Sequence, residues 1–220
     1  MTKHLQRDIE RLRKHILMLG SLVEEAVDNS TRAIAEFDTR LINEVVEKED
    51  QINQMEVDIE EECLKVLALN QPVAIDLRFI IVVLKVNNDL ERMGDQAVNI
   101  VDRIRHLIGK KPLEADVDFA EMGRIARDMV EQSLKALVRQ DVAIARRVME
   151  MDHELDKLHA ACYREIQHVM AQDPEIIPTA VSYLTISSNL ERIGDLSTNI
   201  AEEVIFMEEG EVVRHLDEAG

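Results

Sequence analysis

The sequence NNDLERMGDQAVNI at residues 87–100 recurs as SSNLERIGDLSTNI at residues 187–200. Seven of the fourteen positions are identical at an offset of one hundred residues, among them a glutamate, an arginine, a glycine and an aspartate. Self-similarity at a fixed period is typical of an internal structural repeat. The chain is therefore predicted to consist of two related halves that carry the same acidic motif.

Apolar residues on both sides of the motif recur every three or four positions, which is the pattern of amphipathic helices. Three such helices are expected in each half, so the predicted fold class is all-α, with two tandem three-helix bundles. The expected helices cover about 5–37, 39–70, 72–107, 118–138, 141–170 and from 174 or 178 to 207. The expected domains are a first repeat at 1–109, a linker at 110–117, a second repeat at 118–208 and an acidic tail at 209–220.

The composition is that of an aliphatic, acidic protein. Of 220 residues, 46% are hydrophobic and only 3% aromatic, and the formal net charge is −18. A chain of this length and apolar content can bury a substantial core. Its negative charge repels nucleic-acid phosphates and anionic lipids, so basic protein surfaces and metal cations are the expected partners, and nucleic acid is not.

No stretch of the sequence indicates targeting to, or insertion into, a membrane. The N-terminus mixes charged and apolar residues, unlike the apolar core of a signal peptide. The longest strongly apolar run, 79–84, is far shorter than the roughly 20 residues that span a bilayer. Cys63 and Cys162 lie in different halves and are expected to be buried, reduced thiols. We therefore expect a soluble, cytoplasmic protein.

The acidic motif places two carboxylates on one helix face in each half. Glu91 and Asp95, and likewise Glu191 and Asp195, are four residues apart and lie about 40° apart around the helix axis. Like charges at this spacing repel each other. If the face is partly buried, a cation is needed to offset the repulsion. These four residues are therefore predicted to bind metal.

The preceding helix of each half offers a second pair of oxygen ligands. Glu49 and Asn53 align with Asp152 and Asp156 at an offset of 103 residues. Carboxylate and amide oxygens suit Mg²⁺, Mn²⁺, Fe or Ca²⁺, and they differ from the Cys and His ligands of structural zinc. The sequence thus predicts an oxygen-ligated metal site in each half and leaves the metal unresolved.

Two further features indicate close packing at the motif. Gly94 and Gly194 lie inside their helices, where glycine costs about 1 kcal/mol relative to alanine, so we expect another group to approach the backbone there. The face of the motif also begins with apolar residues, such as Leu77 and Ile81 in the first half and Val181 in the second. We therefore expect this face to lie at or near the bundle interior.

A solvated acidic surface is the alternative interpretation of the motif. In that case Glu91 and Asp95 would pair with arginines such as Arg92, Arg103 or Arg192. Charged runs on helices are commonly solvated in this way, so the sequence alone leaves both interpretations open.

Several segments closely resemble the PhoU family, the accessory proteins of bacterial phosphate-specific transport. The resemblance rests on LERMGD and LERIGD in the motif, on MEVDIEEECLKVL at 55–67 and on QPVAIDLRFIIVV at 71–83, and it covers residues 4–208. It implies two three-helix bundles with multinuclear sites for Fe, Mn or Mg on the acidic motifs. It also implies a non-enzymatic, cytoplasmic negative regulator of the phosphate-starvation response, with the phosphate ABC transporter ATPase and a phosphate-sensing histidine kinase as partners.

One residue departs from the family pattern. That pattern has an acidic residue at both positions of the motif on the second and fifth helices, whereas Asn53 is neutral. We therefore expect weaker metal binding in the first half than in the second. A homodimer is expected as well.

Two other functions remain open. A di-iron carboxylate enzyme would use Glu-x-x-His pairs, which occur as Glu150 with His153 and Glu165 with His168, but both lie on one helix whereas such a site needs two. His159 lies one turn from Asp156 and is the one histidine near the acidic face. It is either a metal ligand or an ordinary surface residue. The second alternative is a metal-free helical adaptor. No glycine-rich phosphate loop is present, so direct phosphate binding has no basis in the sequence.

Overall fold

The computed structural model describes residues 3–210, and all the secondary structure within this range is helical, which confirms the predicted fold class. A short 3₁₀ turn at Pro174–Ile176 precedes the last helix. Expectations for the tail beyond residue 210 fall outside the described residues. The helices are α1 (Lys3–Glu36), α2 (Thr39–Asn70), α3 (Ile75–Leu107), α4 (Phe119–Arg139), α5 (Val142–Gln172) and α6 (Ile177–Glu209).

Four of the helices form the centre of the molecule. α1 packs on α3, α3 on α6, α6 on α4, and α4 back on α1, while α2 covers the α1–α3 side and α5 the α4–α6 side. Lys85 near the start of α3 bonds the buried carboxylate of Glu203 near the end of α6 at 2.9 Å, so these two helices run antiparallel. The two three-helix bundles therefore share one aliphatic core.

The turn before the second helix of each half is built in the same way. Phe37 and Gln140 adopt a left-handed conformation with φ near 50° (50° and 53°), and the next residue is an aspartate that caps the following helix. Asp38 accepts from the backbone N–H of Arg40 at 2.8 Å, as expected of an N-cap. Because α1 ends at Glu36, Phe37 lies on the surface, although the periodicity of α1 predicted a core position.

The third helix begins later than the sequence predicts. Pro72 was expected in its first turn, but Gln71 and Ala74 on either side of it have positive φ angles, so the chain turns there and α3 begins at Ile75. Cys63 and Cys162 are buried and free, as expected, and burial raises the pKa of the Cys63 thiol to about 12. No helix within residues 3–210 combines the length and the apolar character that a membrane crossing requires.

Candidate metal centre

The first acidic face lies where α2 runs along α3. The Nδ2 group of Asn87 on α3 donates to the backbone carbonyl of Glu56 on α2 at 2.8 Å, which ties the two helices together at this level. The sequence places Asn53 and Glu49 on α2 at one and two turns before Glu56, and it places Glu91 and Asp95 on α3 at one and two turns after Asn87. We define the first acidic face as Glu49, Asn53, Glu56, Glu91 and Asp95.

The carboxylates of this face disfavour one another's charge. Burial raises the pKa of Glu49, and the charge of Asp95 raises it further. The pKa of Glu91 is raised first by burial and then by the charges of Asp95 and Glu56. Burial and a nearby glutamate also raise the pKa of Glu56. The structure therefore brings carboxylates of α2 and α3 within electrostatic reach of each other, as the metal hypothesis requires.

The second acidic face repeats this arrangement between α5 and α6. Here the tie between the helices is a contact of 2.7 Å between His159 Nδ1 and Ser187 Oγ, at the positions equivalent to Glu56 and Asn87. Burial and the charge of Asp195 raise the pKa of Glu191. We define the second acidic face as Asp152, Asp156, His159, Glu191 and Asp195.

Asp152 has the most perturbed carboxylate of the two faces. Burial, followed by the charges of Asp156 and Asp195, raises its pKa to about 7. Its Oδ1 atom is buried and has no hydrogen-bond partner among the described residues. A buried carboxylate oxygen without a donor is costly to keep, and a bound cation would satisfy it. This is the observation in the structure that best fits a metal ligand.

The glycine of each motif allows close contact with the neighbouring helix, as expected. A Cβ atom on Gly94 would lie 3.1 Å from Ile52 Cδ1. A Cβ atom on Gly194 would lie 2.7 Å from Leu155 Cδ2 and 3.2 Å from Asp152 Oδ1. In the second half, the missing side chain therefore makes room for the metal-binding candidate itself.

The predicted ligands differ in how far they are enclosed. Glu49, Glu91, Asp95, Asp152 and Glu191 are half-buried, whereas Asn53, Asp156 and Asp195 are exposed at the rims of the two faces. Within residues 3–210, no three Asp, Glu, His or Cys side chains converge closely enough to hold a metal ion. Side chains would have to rotate to bring the ligands of either face together around a metal ion, and metal binding stays a prediction.

The arginine alternative finds no support in the ion pairs of the described residues. Arg92, next to Glu91 in sequence, lies 3.7 Å from Asp89 instead. Within the part of the chain that the structure describes, Glu91, Asp95 and their counterparts in α6 form no ion pair closer than 4.0 Å. Arg92 affects Glu91 through its charge alone. That charge lowers the pKa of Glu91, but burial and the charges of Asp95 and Glu56 raise it by more.

The apolar start of the motif face lies only partly near the bundle interior, because Leu84 and Leu184 pack against the core whereas the apolar residues one and two turns earlier are exposed. Leu77 and Ile81 on α3 are 39% and 36% exposed, and Ile177 and Val181 on α6 are 39% and 46% exposed. These positions match at the offset of one hundred residues, so the same apolar surface occurs twice. The side of α3 that packs against the core instead carries Phe79, Val83 and Val86, which are buried.

Glu56 is the member of the faces that sequence reasoning missed. It aligns with His159 at the same offset of 103 residues that relates Glu49 to Asp152, and it lies one turn beyond Asn53. The repeat offset could therefore have identified it. The Glu-x-x-His pairs of the di-iron alternative both lie on α5, and His153 and His168 are exposed, so they do not face each other across a bundle.

A family model for the PhoU domain matches residues 16–104 and 119–204, one match in each half. The chain belongs to the PhoU family. Relatives in this family include the PhoU homolog of Pseudomonas putida, which is 38% identical over 98% of this chain and 86% of its own length. The PhoU protein of Escherichia coli K12 is 29% identical over 98% of this chain and 91% of its own length. Both are named phosphate-specific transport system accessory proteins.

Solved structures of PhoU proteins have the same fold. The crystal structure of PhoU from Pseudomonas aeruginosa superposes with a TM-score of 0.90 at 38% identity, covering 94% of this chain and 99% of that one. PhoU from Streptococcus pneumoniae, described as a phosphate transport system regulatory protein, superposes with a TM-score of 0.87 at 31% identity, covering 95% of this chain and 99% of that one. Membership of the PhoU family therefore extends over both three-helix bundles.

Proposed function

We propose that this member of the PhoU family is a cytoplasmic, non-enzymatic regulator of phosphate uptake that represses the phosphate-starvation response. It acts as a homodimer between the ATPase of the phosphate ABC transporter and the phosphate-sensing histidine kinase. The observation that carries this proposal is the similarity, over 98% of the chain, to proteins named phosphate-specific transport system accessory proteins. A regulator of this kind acts by binding, because it must favour one of two states of a partner or hold two partners together.

Metal binding is the second part of the proposed function. Both acidic faces hold partly buried carboxylates with raised pKa values, and Asp152 Oδ1 lacks a hydrogen-bond donor. This set of donors fits a divalent cation with oxygen ligands, of the Mg²⁺, Mn²⁺ or Fe²⁺ type. A bound cation would supply the positive charge that the faces lack. The residues of each face would then hold α2 to α3, or α5 to α6, more tightly than their own side chains do.

The exposed apolar side chains support a role in binding partners. Leu77 and Ile81 precede the acidic residues of α3, and Ile177 and Val181 precede those of α6. Because these apolar side chains recur at equivalent positions in both halves, they are the surface at which we expect a partner to bind. The net charge of −18 favours partners with basic surfaces through long-range attraction.

Deletion of the gene tests the regulatory role. Genes of the phosphate-starvation response should be expressed in phosphate-rich medium in the deletion strain, and repression should return when the wild-type chain is supplied. Expression would be measured with a transcriptional reporter in matched cultures. Normal repression in the deletion strain would show that the chain is not this regulator.

Pull-down experiments test the partners. The protein should capture the transporter ATPase or the sensor kinase, and the captured amount should decrease as salt rises because exposed charges are screened. Binding that does not depend on salt would reject electrostatic attraction and leave the partnership intact. Failure to capture either protein at low salt would reject both proposed partners.

Elemental analysis separates the metal-binding regulator from the metal-free adaptor. The full-length chain should be purified without a histidine tag or chelator and then dialysed against Mg²⁺, Mn²⁺ or Fe²⁺. Bound metal at one ion or more per chain is expected, together with a higher unfolding temperature, since a ligand that binds only the folded state stabilises it. A chain without bound metal would favour the adaptor, with the regulatory role unaffected.

A further inference from the structure

An apolar groove lies where α1, α3 and α4 meet, and none of the residues that line it belongs to either acidic face. Its volume is about 230 Å³. The walls are six apolar side chains from both halves of the chain: Ile16, Leu17, Phe79, Val83, Leu137 and Val138. Four of these are buried, whereas Leu17 is half-buried and Val138 is 47% exposed, so the groove opens to solvent beside these two residues.

The rim of the groove carries two cations, Arg13 and Lys14, and one carboxylate, Glu10. The guanidinium of Arg13 lies over the Phe79 ring, 4.4 Å from its centroid. An arginine stacked on a ring keeps the N–H donors at the edge of its guanidinium available for an anion. Among residues 3–210, neither Arg13 nor Lys14 has a carboxylate oxygen within 4.0 Å, whereas the neighbouring Arg11 pairs with two carboxylates.

This rim belongs to a part of α1 that the second half does not repeat. α4 begins at Phe119, which the offset of 103 residues aligns with Ile16, whereas α1 already begins at residue 3. Arg13 and Lys14 lie in the additional turns of α1. The residue aligned with Arg13 is Asp116, in the connection between the halves, so the charge is reversed there.

The equivalent place in the second half is lined differently. The cavity there has a volume of about 480 Å³ and includes Phe119 and Tyr183, whose rings pack with 5.4 Å between their centroids. Its arginines each form an ion pair with a carboxylate, and they are Arg32, Arg124 and Arg127. Because these cations are already paired, an anion would gain less there than beside Arg13 and Lys14.

We propose that the groove of the first half binds a small amphipathic anion, a molecule with an apolar body and one carboxylate group. A cavity of about 150 Å³ holds benzene, so about 230 Å³ has room for a short acyl chain. The carboxylate accepts hydrogen bonds from Arg13 and Lys14 at the rim, and such charge-assisted bonds are stronger than neutral ones. Apolar walls with a few polar groups that fix orientation are the usual composition of a small-molecule site.

Titration of the untagged full-length chain with octanoate, followed by methyl nuclear magnetic resonance, tests the site. Octanoate should shift the signals of Leu17 and Val138. Val57 on α2 is the matched control, because it is 45% exposed and lies outside the groove, and its signals should not shift. Octanol has the same chain without the charge and should bind about tenfold more weakly, because it lacks the charged acceptor.

Replacement of the two rim cations tests their role. The double variant Arg13→Gln, Lys14→Gln should bind octanoate about tenfold more weakly and octanol as the wild type does. Unchanged octanol binding shows that the apolar walls are intact, so misfolding cannot produce this result. The variant Lys157→Gln, Arg164→Gln is the control, because it removes the same charge from exposed positions on α5 and should leave octanoate binding unchanged.

Several results would overturn the proposal. Octanoate that does not bind, that binds no better than octanol, or that shifts Val57 as much as Val138 would show that the groove is not a site for an amphipathic anion. Unchanged octanoate binding in the rim variant, together with weaker capture of the transporter ATPase or the sensor kinase, would make the groove a protein contact instead.

Discussion

The two acidic faces of this PhoU-family chain have the same design but hold their carboxylates differently. In the first face the α2 residue is Glu49, and Gly94 on α3 is packed by the apolar side chain of Ile52. In the second face the equivalent α5 residue is the shorter Asp152, whose Oδ1 lies 3.2 Å from the position that a Cβ atom on Gly194 would occupy and has no hydrogen-bond partner among the described residues. Both carboxylates are half-buried, but Asp152 has the more strongly raised pKa, to about 7.

This difference shows that a repeated motif need not give repeated chemistry. The second face combines a more enclosed carboxylate with an acidic residue at position 156, where the first face has the neutral Asn53. Both changes increase the electrostatic cost of holding the carboxylates together, and both would increase the stabilisation by a cation. The second half is therefore expected to bind metal more tightly than the first.

Removal of one carboxylate from either face in the presence of metal should give the largest change in the free energy of unfolding. In saturating Mn²⁺, at about one hundred times the dissociation constant, a bound ion adds about 2.7 kcal/mol to the free energy of unfolding. Asp195→Asn should lose most of this stabilisation, and Asp95→Asn should lose less. Urea unfolding with and without Mn²⁺ measures both, and equal losses would show that the two faces bind metal equally.

Alanine at the two motif glycines should give the next largest effect. Gly194→Ala forces a Cβ atom to within 2.7 Å of the buried Leu155 side chain, and overpacking of this kind costs about 1–3 kcal/mol. Gly94→Ala meets Ile52 at 3.1 Å, and the better helix propensity of alanine, about 1 kcal/mol, largely offsets the crowding. Thermal unfolding compares the two variants. A Gly194→Ala variant as stable as the wild type would mean that α5 can move away from α6 at little cost.

The pH dependence of stability should distinguish Asp152 from Glu49. The pKa of Asp152 is about 7 in the folded chain against an ordinary value of 3.8, so the folded state binds the proton more tightly than the unfolded state. Asp152 therefore costs no stability below about pH 4, and its cost grows as the pH rises and is complete above about pH 7.

In chelator, Asp152→Asn should raise the free energy of unfolding by about 1 kcal/mol at pH 8, with allowance for the water that still reaches the side chain. The gain should be smaller at pH 5. Glu49→Gln is the matched control, because burial also raises the pKa of Glu49, and it should raise the free energy of unfolding by less. A gain for Asp152→Asn that does not change between pH 5 and pH 8 would contradict the raised pKa.

Serine in place of the exposed apolar residues should give the smallest effect on stability. Ile81→Ser and Val181→Ser should each lower the free energy of unfolding by about 1 kcal/mol or less, because both side chains are only partly buried and full burial of an aliphatic side chain contributes about 1.5–3 kcal/mol. The same variants should capture less of the transporter ATPase or the sensor kinase. Val82→Ser, at a fully buried position, should destabilise the fold strongly. Unchanged capture by both surface variants would show that partners bind elsewhere.

Sequence periodicity predicted the candidate faces better than it predicted their surroundings. It identified Glu91 and Asp95 as neighbours on one face because residues four apart on a helix always share a side, whatever packs against it. It placed Leu77 and Ile81 near the interior, which is wrong, because periodicity shows which residues share a face and not whether another helix covers that face. The equivalence of Glu56 and His159 follows from the repeat offset alone.

The sequence by itself determined the helical fold, the two halves and membership of the PhoU family, because these depend on local spacing and on residue identities that are read directly. Only the tertiary structure decided that Asp152 is enclosed with an unpartnered oxygen, that Gly194 rather than Gly94 accommodates a carboxylate, and that the apolar start of each motif face is exposed. These properties depend on the distances between atoms of different helices. The spacing of residues along one helix does not specify such distances, because they are set by how the side chains of neighbouring helices pack.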